Sequence, residues 1–250
     1  MAHFLGIDIG GTGVKAAPVD TMAGHLLAER QKLPTPQPST PDAVMDAAAK
    51  LVGNFDWTGG VGMTFPGVVV DGVIQTAANL DKKWIGTDAV KLFGDRTKLT
   101  ATVLNDADAA GMAEMRFGAG KGERGTVLVL TLGTGIGSAL FIDGILVPNT
   151  EFGHIEIRGK DAEKRASEHA REEGDLSWEK WAEHVDEYLE HMEALLAPRL
   201  IIIGGGVSRK ADKFLPLLGH LRARVVPAAL QNDAGVVGAA MAADTGLTAA

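Results

Sequence analysis

Apolar residues in this chain come mostly in short unbroken runs, which predict strands buried on both faces. In the first half such strands are expected at Phe4–Ile9, Val14–Val19 and Leu26–Lys32. Pro34-Thr35-Pro36-Gln37-Pro38-Ser39-Thr40-Pro41 reads as a loop, since each proline fixes φ and removes a donor. Helical spacing follows over Asp42–Phe55, with Val44, Ala48, Leu51 and Val52 on one face. Gly60–Phe65 is a short apolar strand ending in Pro66-Gly67. Val68–Val70, Asp71-Gly72 and Val73–Gln75 predict a hairpin on an Asp-Gly turn. A helix over Thr87–Phe93, a strand at Ala101–Leu104 and a helix over Asp106–Phe117 complete this half.

The second half repeats the pattern. The strand Thr126–Leu132 breaks into Gly133-Thr134-Gly135-Ile136-Gly137, returns as Ser138–Ile142, and turns at Asp143-Gly144 into Ile145–Val147. A polar, charged stretch, Arg158–Asp175, precedes a long helix over Trp178–Leu196. The strand Leu200–Ile203 then ends in Gly204-Gly205-Gly206, and helices are expected around Ala211–Leu218 and Asp233–Ala243. The glycine-rich, charged segment Phe117–Gly125 reads as the boundary, which divides the chain into 1–118 and 119–250.

The two glycine turns carry the first chemical signal. Phe4–Ile9 holds a single acid, Asp8, and a buried strand has no use for one unless it is paired or binds a metal. Gly10, Gly11 and Gly13 let the backbone curl its N–H groups toward an anion, while Thr12 adds a hydroxyl and Lys15 a cation. Because the chain returns as a strand, neither the Walker loop nor the dinucleotide fingerprint applies, for both open a helix. The turn at Gly133–Gly137 is of the same kind, and two such turns can close on one phosphate chain. A lone pair of glycines could equally be an ordinary hairpin turn, and the second turn of the same kind weighs against that.

Composition narrows the class. The chain has 250 residues, 46% of them hydrophobic, enough for one large or two smaller cores. It has 32 glycines, as suits an α/β protein with tight loops. It has no cysteine, which excludes disulfides and cysteine-ligated metal sites and fits a reducing cytoplasm. The net charge of −8 argues against a nucleic-acid partner, and no apolar run approaches the length of a membrane span.

Two further groups bear chemistry. Asn105-Asp106 stands where a strand passes into a helix. The Asp106 carboxylate could cap that helix, or serve as a general base while Asn105 orients a substrate. Glu151-Phe152-Gly153-His154 can aim a carboxylate and an imidazole at one ligand. The spacing alone would suit a metal, but no third ligand of the H-E-x-x-H kind is present, and adjacent sugar hydroxyls fit better.

Asp8–Lys15, Asn105-Asp106, Leu132–Gly137, Glu151–His154 and Ile203–Gly206 together resemble the ROK family of sugar kinases, part of the actin-like ATPase superfamily. The resemblance spans essentially the whole chain. Val147–Ile157 is most similar to the branch that phosphorylates glucose from polyphosphate, some members of which also use ATP or accept mannose. The resemblance implies an α/β fold of two ribonuclease-H-like lobes around a central cleft. It implies Asp106 as catalytic base, and Gly67, Asn105, Glu151, His154 and Glu163 as the glucose contacts. It places the phosphoryl donor on Gly10, Gly11, Thr12, Lys15, Thr131, Gly133, Thr134, Gly135, Gly204, Gly205 and Gly206, with Asp8 serving Mg2+. Glucose, inorganic polyphosphate and ATP are the implied small-molecule partners, and a homodimer the implied assembly. Many members carry a cysteine-rich zinc motif after the Glu-x-Gly-His segment. Here Asp161–Ser167 stands at its end without a cysteine, so no zinc is expected and Glu163 is assigned through a changed local pattern. Polyphosphate would need a basic track, with candidates at Lys82, Lys83, Arg116, Lys121 and Arg124. The remaining readings are a strictly ATP-dependent hexose kinase and a sugar sensor without catalysis, though a sensor has no need of Asp106.

Overall fold

The structure is a computed structural model that describes residues 2–246. It opens with β1 (His3–Ile9) and β2 (Gly13–Asp20), an antiparallel hairpin in which Asp8 faces Lys15. The expected third strand is broken into β3 (His25–Leu26) and β4 (Gln31–Pro34), both paired with β2. Helix α1 (Pro41–Asn54) starts where the Thr40 hydroxyl accepts the Ala43 N–H and Pro41 takes the first helical position. It buries Val44, Ala48, Leu51 and Val52. Strand β5 (Val61–Phe65) is buried along its whole length and runs parallel to β1. The small hairpin of β6 (Val69–Val70) and β7 (Val73–Ile74) follows, then α2 (Ala89–Thr97) and β8 (Ala101–Asn105), which runs parallel to β5. The first sheet therefore has the order β3-β2-β1-β5-β8, with β4 also on β2. Helix α3 (Asp106–Phe117) leads out of it.

The second sheet has the same plan. Strands β9 (Thr126–Leu132), β10 (Ile136–Ile142) and β11 (Ile145–Val147) form an antiparallel meander. A tight hairpin, β12 (Glu156–Ile157) with β13 (Lys160–Asp161), and the short helices α4 (Glu163–Ala166) and α5 (Glu168–Glu173) occupy the charged stretch. Helix α6 (Trp178–Leu196) is capped by Ser177 and buries Trp181, Val185, Tyr188, Leu189 and Met192, the face set by helical spacing. Strand β14 (Leu200–Gly204) is fully buried and lies parallel to both β9 and β15 (Arg224–Pro227). The order β11-β10-β9-β14-β15 repeats the first sheet's sequence of antiparallel hairpin and parallel strands. Where a helix was expected around Ala211–Leu218, the chain forms 3-10 turns at Gly206–Lys213 and Leu215–Leu217.

Helix α7 (Ala234–Thr245) corrects the expected division of the chain. Among the described residues, one compact unit comprises those up to Ala113 together with those from Asp233 onward, and the other comprises Glu114–Asn232. The last helix thus belongs to the first sheet, on which it lies unusually close. A Cβ added to Gly6 would stand 1.9 Å from the Val236 carbonyl oxygen, and one on Gly62 would stand 1.7 Å from that of Ala239. Only glycine lets helix backbone touch strand backbone in this way. Each unit has its own core, around Ile7, Met63, Phe65 and Trp84 in the first and Leu130, Ile203, Trp181 and Phe214 in the second. Among the described residues, no helix is long and apolar enough to cross a membrane.

Gly62→Ala should therefore be badly tolerated. We expect it to lower the unfolding free energy by about 3 kcal/mol or more, the upper range for overpacking, as read from urea denaturation.

Candidate active site

Asp8 is held from three sides within the first unit. Its register on β1 puts it beside Lys15 of β2 and Thr64 of β5. Lys15 Nζ lies 2.9 Å from Oδ2, and the Thr64 hydroxyl donates to Oδ1 at 2.9 Å. The first turn of α7 comes over the same carboxylate, for a Cβ on Gly235 would lie 3.2 Å from Asp8 Cγ. A helix N-terminus carries positive partial charge and exposed N–H groups, so it suits a carboxylate and any phosphate near it. The adjoining turn is closed by a bond from Gly10 N–H to the Gly13 carbonyl, and the Thr35 hydroxyl donates to the Gly10 carbonyl. Thr12 at its tip is exposed. Lys15, expected to face a phosphoryl donor, is thus ion-paired with Asp8.

Asn105 and Asp106 divide their work. Asn105 Oδ1 accepts the N–H groups of Ala107 and Asp108 at 2.8 and 3.0 Å, so Asn105 is the residue that caps α3. Asp106, the first helical residue, accepts the Ala107 N–H at 2.8 Å and is half-buried. The amide of Asn105 also donates to the Gly67 carbonyl at 3.1 Å, which ties the Pro66-Gly67 loop to the start of α3. Gly67 has a packing reason to be glycine, since a Cβ there would meet the Thr76 carbonyl oxygen at 2.4 Å.

In the second unit, Ser138 of β10 anchors the segment that carries Glu151. Its hydroxyl donates to the Thr150 carbonyl at 2.8 Å and accepts the Phe152 N–H at 3.0 Å. Glu151 Oε2 stands 3.9 Å from His154 Nε2, and the other ring nitrogen, Nδ1, stands 3.4 Å from Asp161 Oδ2. Glu163, the first residue of α4, accepts the Ile136 N–H at 3.3 Å and lies against Gly135, where a Cβ would meet its carboxylate at 2.4 Å. The candidate sugar carboxylate and the second glycine turn are therefore joined. Burial pushes the Glu151 carboxyl above its ordinary value; the nearby His154 lowers it and Glu163 raises it further.

The second turn closes from Gly133 N–H to the Gly135 carbonyl, and α5 is tied to it through the His169 N–H and the Gly133 carbonyl. At Gly133 a Cβ would meet nothing within 4 Å, so the fold itself does not require glycine there. Thr131 is half-buried and Thr134 exposed. Gly205 is different: its φ is +82° and a Cβ would lie 2.3 Å from the Leu132 carbonyl oxygen, so local packing already demands glycine. Gly204 has room for ordinary contacts, and Gly206 lies beside the Glu168 carboxylate.

A model of the ROK family matches residues 4–167. The chain belongs to the ROK family. Over 246 residues it is 54% identical to a polyphosphate glucokinase of Mycobacterium tuberculosis, a match covering 97% of this chain and 92% of that one. The crystal structure of an inorganic polyphosphate/ATP-glucomannokinase from Arthrobacter sp. strain KM aligns with a TM-score of 0.95 at 50% identity, over 99% of this chain and 100% of that one. A ROK glucokinase from Streptomyces griseus, solved with glucose and AMPPNP, aligns at 0.83 and 27% identity, over 97% and 99% of the two chains. These neighbours are sugar kinases of the actin-like ATPase fold, and this chain has that fold.

The residues after the ROK Glu-x-Gly-His segment do not fit a thiolate zinc site. The whole chain lacks cysteine. Among the described residues, His154, Asp161 and Glu163 do place one ligand atom each within 4.8 Å of one another. However, Glu163 is engaged by the Ile136 N–H, and Asp161 by His154 and Lys164. Sequence reasoning missed Thr64, Ser138, Asp161 and Gly235. Only Asp161 had a visible signal, an acid placed shortly after His154; the others act through register and close approach.

The raised Glu151 carboxyl has a measurable consequence. It binds a proton more tightly in the folded than in the unfolded chain, so folding loses stability as pH rises from the ordinary value of 4.5 through the raised one. Glu151→Gln removes that loss. The variant should be the more stable protein at neutral pH, and the gap should close below pH 4.5, as followed by urea denaturation across pH.

Proposed function

We propose that this chain transfers a phosphoryl group from inorganic polyphosphate to the 6-hydroxyl of glucose, giving glucose 6-phosphate, with ATP as a second donor. What carries this reading is the 54% identity to a polyphosphate glucokinase over nearly all of both chains. The likeness to a polyphosphate/ATP-glucomannokinase at a TM-score of 0.95 supports the second donor and makes mannose a further candidate acceptor.

In this reading Asp106 accepts the proton of the 6-hydroxyl as its oxygen attacks the terminal phosphorus. The bond from that phosphorus to the bridging oxygen breaks, and polyphosphate leaves one unit shorter. Asn105 shares the Ala107 N–H with Asp106, takes the Asp108 N–H alone, and fixes the Gly67 loop by one hydrogen bond. Glu151, His154 and Glu163 receive the sugar hydroxyls, each of which needs both an acceptor and a donor. The turns at Gly10–Lys15 and Thr131–Gly135 and the Gly204–Gly206 segment hold the donor. Asp8 would offer a hard oxygen ligand to Mg2+, and Lys15, ion-paired with it, would add a second positive charge for the donor's phosphates. Bound magnesium would neutralise charge on the transferring phosphoryl group. Of the candidate basic track, Lys82 is committed to the Ala77 carbonyl at 2.8 Å, and Arg116 lies over the Phe117 ring. Lys83, Lys121 and Arg124 are exposed and remain the better candidates. We take the enzyme to be a cytoplasmic homodimer.

Asp106→Asn keeps size and local hydrogen bonding but loses basicity. We expect kcat to fall by roughly 10²–10⁴-fold, the usual scale of acid–base catalysis, with glucose binding retained by calorimetry. Near-normal turnover would remove Asp106 from the role.

The donor is tested by supplying polyphosphate or ATP with glucose and magnesium. Polyphosphate use should weaken more steeply with added salt, because exposed charges along a track are screened. Turnover with ATP and none with polyphosphate, across chain lengths, would make this an ATP-dependent hexose kinase.

A further inference from the structure

His154 has two ring nitrogens and a different carboxylate beside each. Neutral imidazole carries one donor and one acceptor nitrogen, and the partner of one decides the role of the other. If Nε2 held the proton, a donor would face Glu151 from 3.9 Å, too far for a hydrogen bond between them, and the ring would offer a sugar hydroxyl only a donor. If Nδ1 holds it, Nε2 and Glu151 are both acceptors and are left to hydroxyl donors from outside. The choice rests with whatever faces Nδ1.

What faces Nδ1 is Asp161, brought there by a turn that the local sequence specifies. Strands β12 and β13 pair Glu156 with Asp161 and Ile157 with Lys160. The two residues between them, Arg158 and Gly159, have φ of 54° and 76°. Two successive left-handed residues make the tight turn whose twist suits a hairpin, and glycine at the second position favours it. The hairpin reverses the chain and returns the Asp161 carboxylate to 3.4 Å from His154 Nδ1. Lys164 Nζ, three residues on and largely exposed, lies 3.6 Å from the same oxygen.

We propose that Asp161 is a positioning residue for sugar recognition. Its carboxylate accepts the Nδ1 proton of His154, fixes the ring and its tautomer, and turns Nε2 into an acceptor for a glucose hydroxyl. The proposal rests on the reading of His154 as a sugar ligand. It gives the hairpin a function in this cysteine-free chain: a carboxylate orients the histidine, as carboxylates behind metal-bound histidines do in other proteins.

The test combines a spectroscopic and a kinetic readout on the full-length protein. Long-range 1H–15N correlation of 15N-histidine-labelled protein reports each ring's tautomer directly, with His154→Gln assigning the signal. At about pH 8, where an ordinary imidazole is neutral, His154 should be the Nδ1–H form in the wild type. In Asp161→Ala it should shift toward the Nε2–H form. In the same variant the KM for glucose should rise about fivefold, the effect of one hydrogen bond of average strength, with kcat and the KM of each donor within about twofold. Asp161→Asn, whose amide oxygen can still accept from Nδ1, should recover most of the glucose affinity. Lys164→Ala should leave the tautomer and glucose KM near wild type.

An Nε2–H ring in the wild type overturns the proposal, as does a tautomer unchanged in Asp161→Ala. A stoichiometric metal in the wild-type protein, absent from Asp161→Ala by elemental analysis, would also overturn it and make His154, Asp161 and Glu163 a metal site. If the tautomer shifts while glucose affinity stays constant, the Asp161–His154 pairing stands and His154 is not a sugar ligand; the assignment of the site then fails instead.

Discussion

Backbone against backbone is the contact on which the first unit depends. Carbonyl groups of α7 occupy the space where Gly6 and Gly62 would otherwise carry side chains. At that range a helix cannot slide or rotate without collision, so α7 serves as a rigid reference for what touches it. Its first turn comes over Asp8, and farther along Gly238 packs on the backbone of Ala109 in α3. The proposed metal ligand and the helix that begins with the proposed base are thus registered to one element. A few tenths of an ångström matter in phosphoryl transfer, where positioning and charge do most of the work.

The strands were the legible part. Apolar runs marked β1, β2, β5, β8, β9, β10 and β14 within a residue or two, because buried central strands have no polar face to interrupt the run. The repeated turn-and-return pattern also anticipated the antiparallel pairs β1–β2 and β9–β10, one in each sheet. The partner of α7 was not legible. Its residues are apolar and small nearly all round, which announces burial without saying against what. The hairpin of β12 and β13 was hidden for the opposite reason, since its two-residue strands lie in a polar, charged stretch without the apolar runs that marked β6 and β7.

The site was legible in its residue types more than in their duties. A glycine for packing and a glycine for a ligand look the same in a sequence. Gly67 and Gly205 are each required by neighbouring backbone, whereas Gly133 is not and Gly135 meets only the end of the Glu163 side chain. The cap at α3 was open between two readings, and only geometry gave it to Asn105. Glu151 and His154 were visible as a pair. The contacts that hold them, from Ser138 and Asp161, come from other strands and depend on register.

Glu114 begins the second unit, and its buried carboxylate accepts the N–H groups of Ala119, Ala229 and Leu230. One side chain therefore ties the entry of that unit to its exit, just before the chain passes back at Asp233. In topological terms the second unit is an insertion with its ends pinned together, and everything its sheet needs is contiguous in the chain. The first unit is split, and its sheet lacks the helix that covers Gly6 and Gly62 until α7 has been made. Domains usually mature in the order of synthesis. Here the order on the ribosome is inverted: the inserted unit can close first, and the half that is translated earliest is finished last.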